Sequence, residues 1–243
     1  MLKLPVRYYR MYPKNSPLGY CEEEVSIEIA NTALLIIDVY GKGFTPEEKE
    51  ELKVPSFYVS HPENDRIVSE LIPKVRAVAK EGKMKVVYLT NHLSQALDEN
   101  NEWRQMSIRT CGVDVLESWV EPNDILKHSN VIAPTSEEVL IKKQMYSGFF
   151  ETELESALRN ANIKNLVVVG FDANICLKYT LVDALYRNFR VFVLRDCVRT
   201  MEFPETEAEN WANFMAIRHI ETTIGYTATS DDFVESMKVA AQA

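Results

Sequence analysis

Glycine is scarce in this 243-residue chain, with eight residues in all. The turn after the first apolar run, Val39-Tyr40-Gly41-Lys42-Gly43-Phe44, lacks the GxGxxG spacing. The backbone cradling of phosphates by flavodoxin-like or dinucleotide-binding proteins therefore has little support. Positive charge is also short: 27 Lys and Arg against 36 Asp and Glu leave a formal charge of −9. No stretch supplies the basic face that nucleic acid or an anionic membrane needs. No apolar run approaches the ~20 residues of a membrane span, and the first twenty residues have no signal-peptide apolar region. Four cysteines, Cys21, Cys111, Cys176 and Cys197, lie far apart without CxxC spacing. Neither a zinc site nor a disulfide framework is indicated, and the reducing cytoplasm is the expected compartment. Internal repeats and low-complexity segments are absent.

What remains is 46% hydrophobic, enough for one domain with a sizeable core, expected over residues 31–243. Residues 1–30 carry Pro5, Pro13 and Pro17 among tyrosines and arginines. They read as an extended N-terminal arm, docked on the surface or on a neighbouring subunit.

The most informative stretch is Asn165–Asp183. Leu166–Val169 is the uninterrupted β-branched block of a strand buried on both faces of a parallel sheet. Ile175, Tyr179, Val182 and Tyr186 then recur with helical spacing, so a helix begins near Asn174. Cys176 falls in its first turn, at the C-terminal edge of a central strand, where open α/β sheets place their sites. Free backbone N–H groups and the helix dipole would favour a thiolate there. The other reading of Cys176 is a small buried hydrophobe.

The rest of the chain alternates strands and helices. A first core strand is expected at Ala33–Val39, with Asp38 near its end, either as a turn residue or as a working carboxylate. Residues 41–61 read as a long loop or lid. A helix follows at 69–81 with Pro73 in its first turn, and then a strand at 85–90 ending at Asn91-His92. Residues 93–130, with Trp103, Trp119 and Pro122, show no motif. A short strand at 138–142 precedes Lys143, which taken alone could be a solvated strand end. Helices are expected at 151–161, at 204–218 opened by Pro204, and at 230–241, with strands at 190–196 and 221–226. The sum is a doubly wound, mostly parallel six-stranded α/β sheet with helices on both faces, a Rossmann-like three-layer arrangement. In such a sheet Asp38, Lys143 and Cys176 share one edge.

With those residues in place, the chain resembles the cysteine hydrolases of the isochorismatase-like superfamily. The likeness is carried by ALLIIDV around Asp38, KKQMYSGFFETELESALR around Lys143, VVVGFDANICLKYTLVDAL around Cys176, RVFVLRD and HIETTIGY. The YSGFF, NIC and IETTIG runs look most like the ureidoacrylate and biuret amidohydrolase branch.

The resemblance implies an amidohydrolase that cleaves a C–N bond of a small amide, ureide or carbamoyl compound through a Cys176 thioester, without a cofactor. Asp38 would be the base and acid, and Lys143 would hold positive charge beside both groups. The backbone N–H groups of Ala173 and Cys176 would form the oxyanion site, with a cis peptide between Asp172 and Ala173. Asn91, Phe44, Tyr146, Phe149, Asp172 and Asn213 are the substrate-binding candidates, and Phe150 is a further aromatic beside them. Nicotinamidases in the superfamily bind a metal through an Asp-x-His and a second His. Here only His92 stands near the second strand, so no metal is expected. Family members are commonly dimers or tetramers, which implies a homo-oligomer acting on a small molecule. Departures from the pattern are Asp172 where many relatives have a small residue, Ala173 where many have threonine, and VYGKGF after Asp38. A vinyl ether hydrolase, whose known members lack the cysteine, and a catalytically silent binding module on the same scaffold are the alternatives.

Overall fold

Two runs with no solvent face, Thr32–Ile37 and Asn165–Gly170, lie side by side at the centre of the protein. Their parallel register runs from Thr32↔Asn165 to Ile37↔Gly170. Covered on both faces, such strands are apolar throughout rather than alternating. The computed structural model describes residues 1–41, 43–51, 61–94, 97, 98, 100–114 and 126–242. In chain order the strands and helices are β1 (Leu2–Arg10), β2 (Gly19–Ile27), β3 (Thr32–Ile37), α1 (Pro46–Glu51), α2 (Pro62–Arg66), α3 (Ile72–Glu81), β4 (Lys85–Asn91) and α4 (Glu102–Cys111). The chain continues with β5 (Val139–Lys143), α5 (Leu154–Asn160), β6 (Asn165–Gly170), α6 (Cys176–Tyr186), β7 (Arg190–Val198), α7 (Trp211–Thr223), β8 (Tyr226–Ala228) and α8 (Ser230–Gln242).

The sheet has eight strands rather than six, in the order β2-β1-β8-β7-β6-β3-β4-β5. The six from β8 to β5 are parallel, at the places expected from the apolar runs. The other two come from the N-terminal segment. It forms an antiparallel hairpin whose first strand meets β8 at Arg7↔Thr227. Leu2, Leu4 and Val6 point inward and alternate with exposed Lys3 and Pro5, a one-sided strand packed on α8. The prolines masked this pattern. β1 touches β8 at one pair only, which leaves an open edge of the kind proline tolerates.

One apolar cluster packs α3, α8 and the hairpin against one face of the sheet, and a second packs α5, α6 and α7 against the other. Several boundaries differ from the sequence reading. The helix expected at 69–81 begins at Pro62, capped by His61, and passes through a π-turn at Ile67–Leu71 just before Pro73. Proline has no N–H to give and crowds the carbonyl four residues back, and a widened turn accommodates both effects. α4 lies in the segment where no motif was seen, because none of its residues is buried and it leaves no apolar stripe. α7 starts at Trp211 rather than Pro204, where the Glu202 carboxylate accepts the Ala212 and Asn213 N–H groups at 2.9 and 2.8 Å. Glu221, expected in the last strand, belongs to α7, and that strand is Tyr226–Ala228. Residues 42 and 52–60 of the expected lid, and Trp119 and Pro122, lie outside the described residues. Among the described residues no helix is long and apolar enough to cross a membrane.

Candidate active site

The carboxyl ends of β3, β5 and β6 meet at one rim, and β4 lies between the first two. At the end of β3 the chain leaves the sheet through Asp38, which has φ 51°, a left-handed conformation that aspartate adopts more readily than most residues. Its N–H still donates to Leu89 O at 3.0 Å, so the turn is tied to β4. The Asp38 side chain has no exposed surface. Lys143, the last residue of β5, is equally buried, with Nζ 2.8 Å from Asp38 Oδ2. The ammonium also donates to Asn91 Oδ1 and, at 3.3 Å, to Met145 O. Asn91 Nδ2 in turn donates to Tyr40 OH at 2.6 Å. Asn91, a substrate-binding candidate from sequence, thus has both ends of its amide committed to Tyr40 and Lys143, where it holds the ammonium.

Cys176 opens α6, close enough to Asp38 and Lys143 for each to act on the other's charge. The structure therefore brings the carboxylate, the ammonium and the sulfur together. Burial pushes the Asp38 carboxyl up from its ordinary pKa, against the pull of Lys143 and of hydrogen bonds from Cys176 and Lys143. That makes it a stronger base than an exposed aspartate. Burial alone would lower Lys143, but the adjoining Asp38 carboxylate outweighs it and holds the ammonium protonated. The Cys176 thiol is pushed well up, first by burial and then by Asp38, with Lys143 opposing. The expected thiolate is thus replaced by a resting thiol, because desolvation and a neighbouring carboxylate overcome the helix N-terminus.

The turn from β6 to α6 sets the backbone around the sulfur. Gly170 has φ 117°, and a Cβ there would stand 2.0 Å from Ile37 O, so only glycine fits. Phe171 donates to that same carbonyl at 2.9 Å. The cis peptide joins Phe171 to Asp172, one bond earlier than the resemblance implied, directly where the chain leaves Ile37. The Asp172 carbonyl then accepts from Ile175 and Leu177 at 3.0 and 3.2 Å, closing the start of α6. The N–H of Ala173, expected as an oxyanion donor, is used elsewhere: it donates to Arg199 O at 3.1 Å and ties the turn to the end of β7. Among the described residues the N–H groups of Asn174 and Cys176 have no such acceptor.

The remaining candidates divide. Phe44 is buried in the apolar cluster that includes Tyr40. Phe149 is core, packed on Phe189 at 5.8 Å between ring centroids. Phe150 is largely exposed. Tyr146 stands between Trp103 (5.7 Å, edge-on) and Tyr179 (5.5 Å, stacked), one turn along α6 from Cys176. Asn213 lines a cavity of about 350 Å³ with His61, Arg195, Arg199 and Asn210, and its Oδ1 accepts the Thr200 N–H at 3.2 Å. Asp172 is nearly buried and electrostatically coupled to Asp38 on one side and Arg199 on the other. The sequence reading missed Tyr40, Trp103, Tyr179 and Arg199. Only Tyr40, two residues after Asp38, left a signal in the sequence. Among the described residues no group of three metal-binding side chains is assembled.

Comparison with known proteins gives a consistent picture. The Isochorismatase domain family model matches residues 32–231. The chain is similar to the ureidoacrylate amidohydrolase RutB of Stutzerimonas stutzeri (strain A1501), 35% identical over 109 residues, 45% of this chain and 42% of that one. It thus spans about four-tenths of the length of that relative. Against the RutB of Caulobacter segnis identity is 26% over 220 residues, covering 87% of each chain. Its fold is similar to that of a cysteine hydrolase from Pseudomonas syringae pv. phaseolicola 1448A, with TM-score 0.71, 23% identity, and coverage of 88% of this chain and 95% of that one. It is also similar to N-carbamoylsarcosine amidase from Thermoplasma acidophilum, with TM-score 0.59, 26% identity, and coverage of 83% and 97%.

Proposed function

Because the chain belongs to the isochorismatase family, we propose that it is a cysteine-dependent amidohydrolase that cleaves a C–N bond of a small amide, ureide or carbamoyl compound. The observation that carries this reading is the meeting of Asp38, Lys143 and Cys176 at one buried rim, with Nζ 2.8 Å from the carboxylate. The relatives named as ureidoacrylate amidohydrolase and N-carbamoylsarcosine amidase support the substrate class.

The chemistry follows from the resting state. Asp38 takes the Cys176 proton as the sulfur attacks the carbonyl carbon, so no free thiolate has to persist in the buried site. Lys143 keeps its charge throughout and offsets the negative charge that passes between carboxylate, sulfur and carbonyl oxygen. The oxyanion sits at the N-terminus of α6, where the N–H groups of Cys176 and Asn174 remain as donors. Protonated Asp38 then gives its proton to the departing nitrogen, and the C–N bond breaks to release ammonia or an amine. A water deprotonated by the same carboxylate attacks the thioester, the C–S bond breaks, and the thiol recovers a proton. Asn91 and Tyr40 position Lys143 for these steps.

The test is an ammonia-release screen over ureidoacrylate, biuret, carbamoyl amino acids, maleamate and nicotinamide, with and without prior iodoacetamide treatment. The expected result is release from at least one compound, abolished by the reagent. Release that survives complete alkylation of Cys176, or pyruvate release from a vinyl ether that ignores it, would overturn the reading.

A further inference from the structure

The cavity of about 350 Å³ at the carboxyl end of β7 has no part in the mechanism above, and its volume lies at the lower end of the range for small-molecule sites. The groups of its wall that remain open to a ligand are donors. Arg195 belongs to β7 and Arg199 directly follows it. Among the described residues neither guanidinium makes a hydrogen bond or an ion pair. Glu221 acts on Arg195 but is paired with Arg7 at 2.7 Å, and burial and the Arg7 charge both work against the Arg195 cation. His61 accepts the Glu63 N–H on Nδ1 at 3.1 Å, so in the neutral ring Nε2 carries the proton and donates. Asn213 accepts the Thr200 N–H on Oδ1 at 3.2 Å, which leaves its amide NH2 as donor.

The acceptors of the same wall are already engaged. The Glu63 carboxylate is held by Arg66 at 2.6 and 3.0 Å. Asp196 accepts the Ser230 N–H at 2.8 Å and its hydroxyl at 2.6 Å. Glu207 is exposed, where salt screens its charge. Two guanidiniums with a neighbouring imidazole N–H and amide NH2 match a ligand that offers several anionic oxygens, since guanidinium binds carboxylate and phosphate through paired N–H groups.

We propose that this cavity binds a small organic anion bearing a carboxylate or phosphate group, held by Arg195 and Arg199 with His61 and Asn213 as neutral donors, and that its occupancy steadies the turn before Cys176. Hydrogen bonds join the two places. Arg199 O accepts the Ala173 N–H at 3.1 Å. Thr200, whose N–H is held by Asn213, gives its hydroxyl to Asn174, two residues before the cysteine. An anion clamped by Arg199 and Asn213 fixes both of these bonds at once.

The test is calorimetric titration of the full chain at constant ionic strength with succinate, inorganic phosphate and the neutral analogue succinamide. The expected result is a Kd of about 1 mM or tighter for at least one of the two anions and no binding of succinamide. A preference for succinate assigns the carboxylate, and a preference for phosphate assigns a phosphate monoester. Arg195→Gln and Arg199→Gln should each weaken binding about tenfold or more, the effect of losing a charge-assisted contact. Arg109→Gln, an exposed arginine paired with Glu102 on α4, should leave it unchanged. If the first two variants do not fold, Asn213→Asp keeps the acceptor for Thr200, sets a carboxylate against the anion and should abolish binding. Hydrogen exchange of the peptide spanning 172–176 should slow severalfold under saturating anion in the parent and not in Arg199→Gln. Absence of binding by both anions, equal binding of succinamide, or affinity that survives the cavity variants or falls equally in Arg109→Gln would overturn the site. Binding without slower exchange at 172–176 would overturn the link to the turn. None of these readouts requires turnover.

Discussion

Lys143 is a fully buried ammonium held by three oxygens, those of Asp38, Asn91 and Met145. Removing one partner of a buried pair leaves the other charged group desolvated and uncompensated, a loss of about 3–5 kcal/mol. Lys143→Met, which keeps the stem and discards the charge, should therefore lower Tm by on the order of 10 °C, as read by calorimetry. An unchanged Tm would mean that the pair is solvated. Asp172 gives the opposite pH signature to a salt-bridged carboxylate. Its folded value near 7 lies above the ordinary 3.8, so between these values the folded protein keeps a proton that the unfolded chain has lost. Stability then falls as pH rises from about 4 to 7 and is flat beyond. Asp172→Asn should remove that slope and stabilise the protein at pH 8 by a few kcal/mol in urea titrations. At this scale the sequence revealed Asp38, Lys143 and Cys176, since each follows an apolar strand. It could not show that the Asn91 amide bridges Lys143 and Tyr40, because that depends on Tyr40 lying across the gap.

The segments between strands owe their shape to single polar anchors rather than to periodicity. Glu48 in α1 is the clearest case. Its carboxylate accepts the N–H groups of Gly43 (3.0 Å), Phe44 (3.3 Å) and Asn130 (2.8 Å) and the Ser129 hydroxyl (2.9 Å). Burial would raise its pKa, but those four donors outweigh it and hold the carboxylate ionised. This clasp joins the chain after Asp38 to residues 129–130, beside the Gly41 N–H to Lys127 O bond. Glu48→Ala should release the amides of Gly43, Phe44 and Asn130 to hydrogen exchange at least tenfold faster while leaving those of β3 and β6 protected. Equal loss of protection in the central strands would show that the clasp is part of the global fold. Nothing in a stretch such as GKGFTPEEKEE announces a partner eighty residues away. The same blindness hid α4, which buries no residue, and misplaced the start of α7, which is set by Glu202 from outside the helix. Strands were legible where both faces are buried, and helices where one face is.

At the scale of the whole molecule the hairpin turns a six-stranded parallel sheet into an eight-stranded mixed one. The buried Glu221 fixes it, paired with Arg7 at 2.7 Å and accepting from Thr227 at 2.6 Å. Arg218 stacks over Tyr9 and Tyr20 and closes the outer side. The new edge strand carries Glu22, Glu23 and Glu24 in sequence, a like-charge run that discourages pairing with another edge. Parallel topology does the rest: it gathers the carboxyl ends of strands far apart in sequence, so that residues 38, 143 and 176 stand together at one buried rim. That convergence is the central claim as chemistry, and ammonia release by Cys176→Ala on whichever compound the unmodified protein hydrolyses fastest tests it most directly. The account predicts a loss of at least a thousandfold in a variant whose circular dichroism and Tm match those of the parent. Turnover within tenfold of the parent would contradict it.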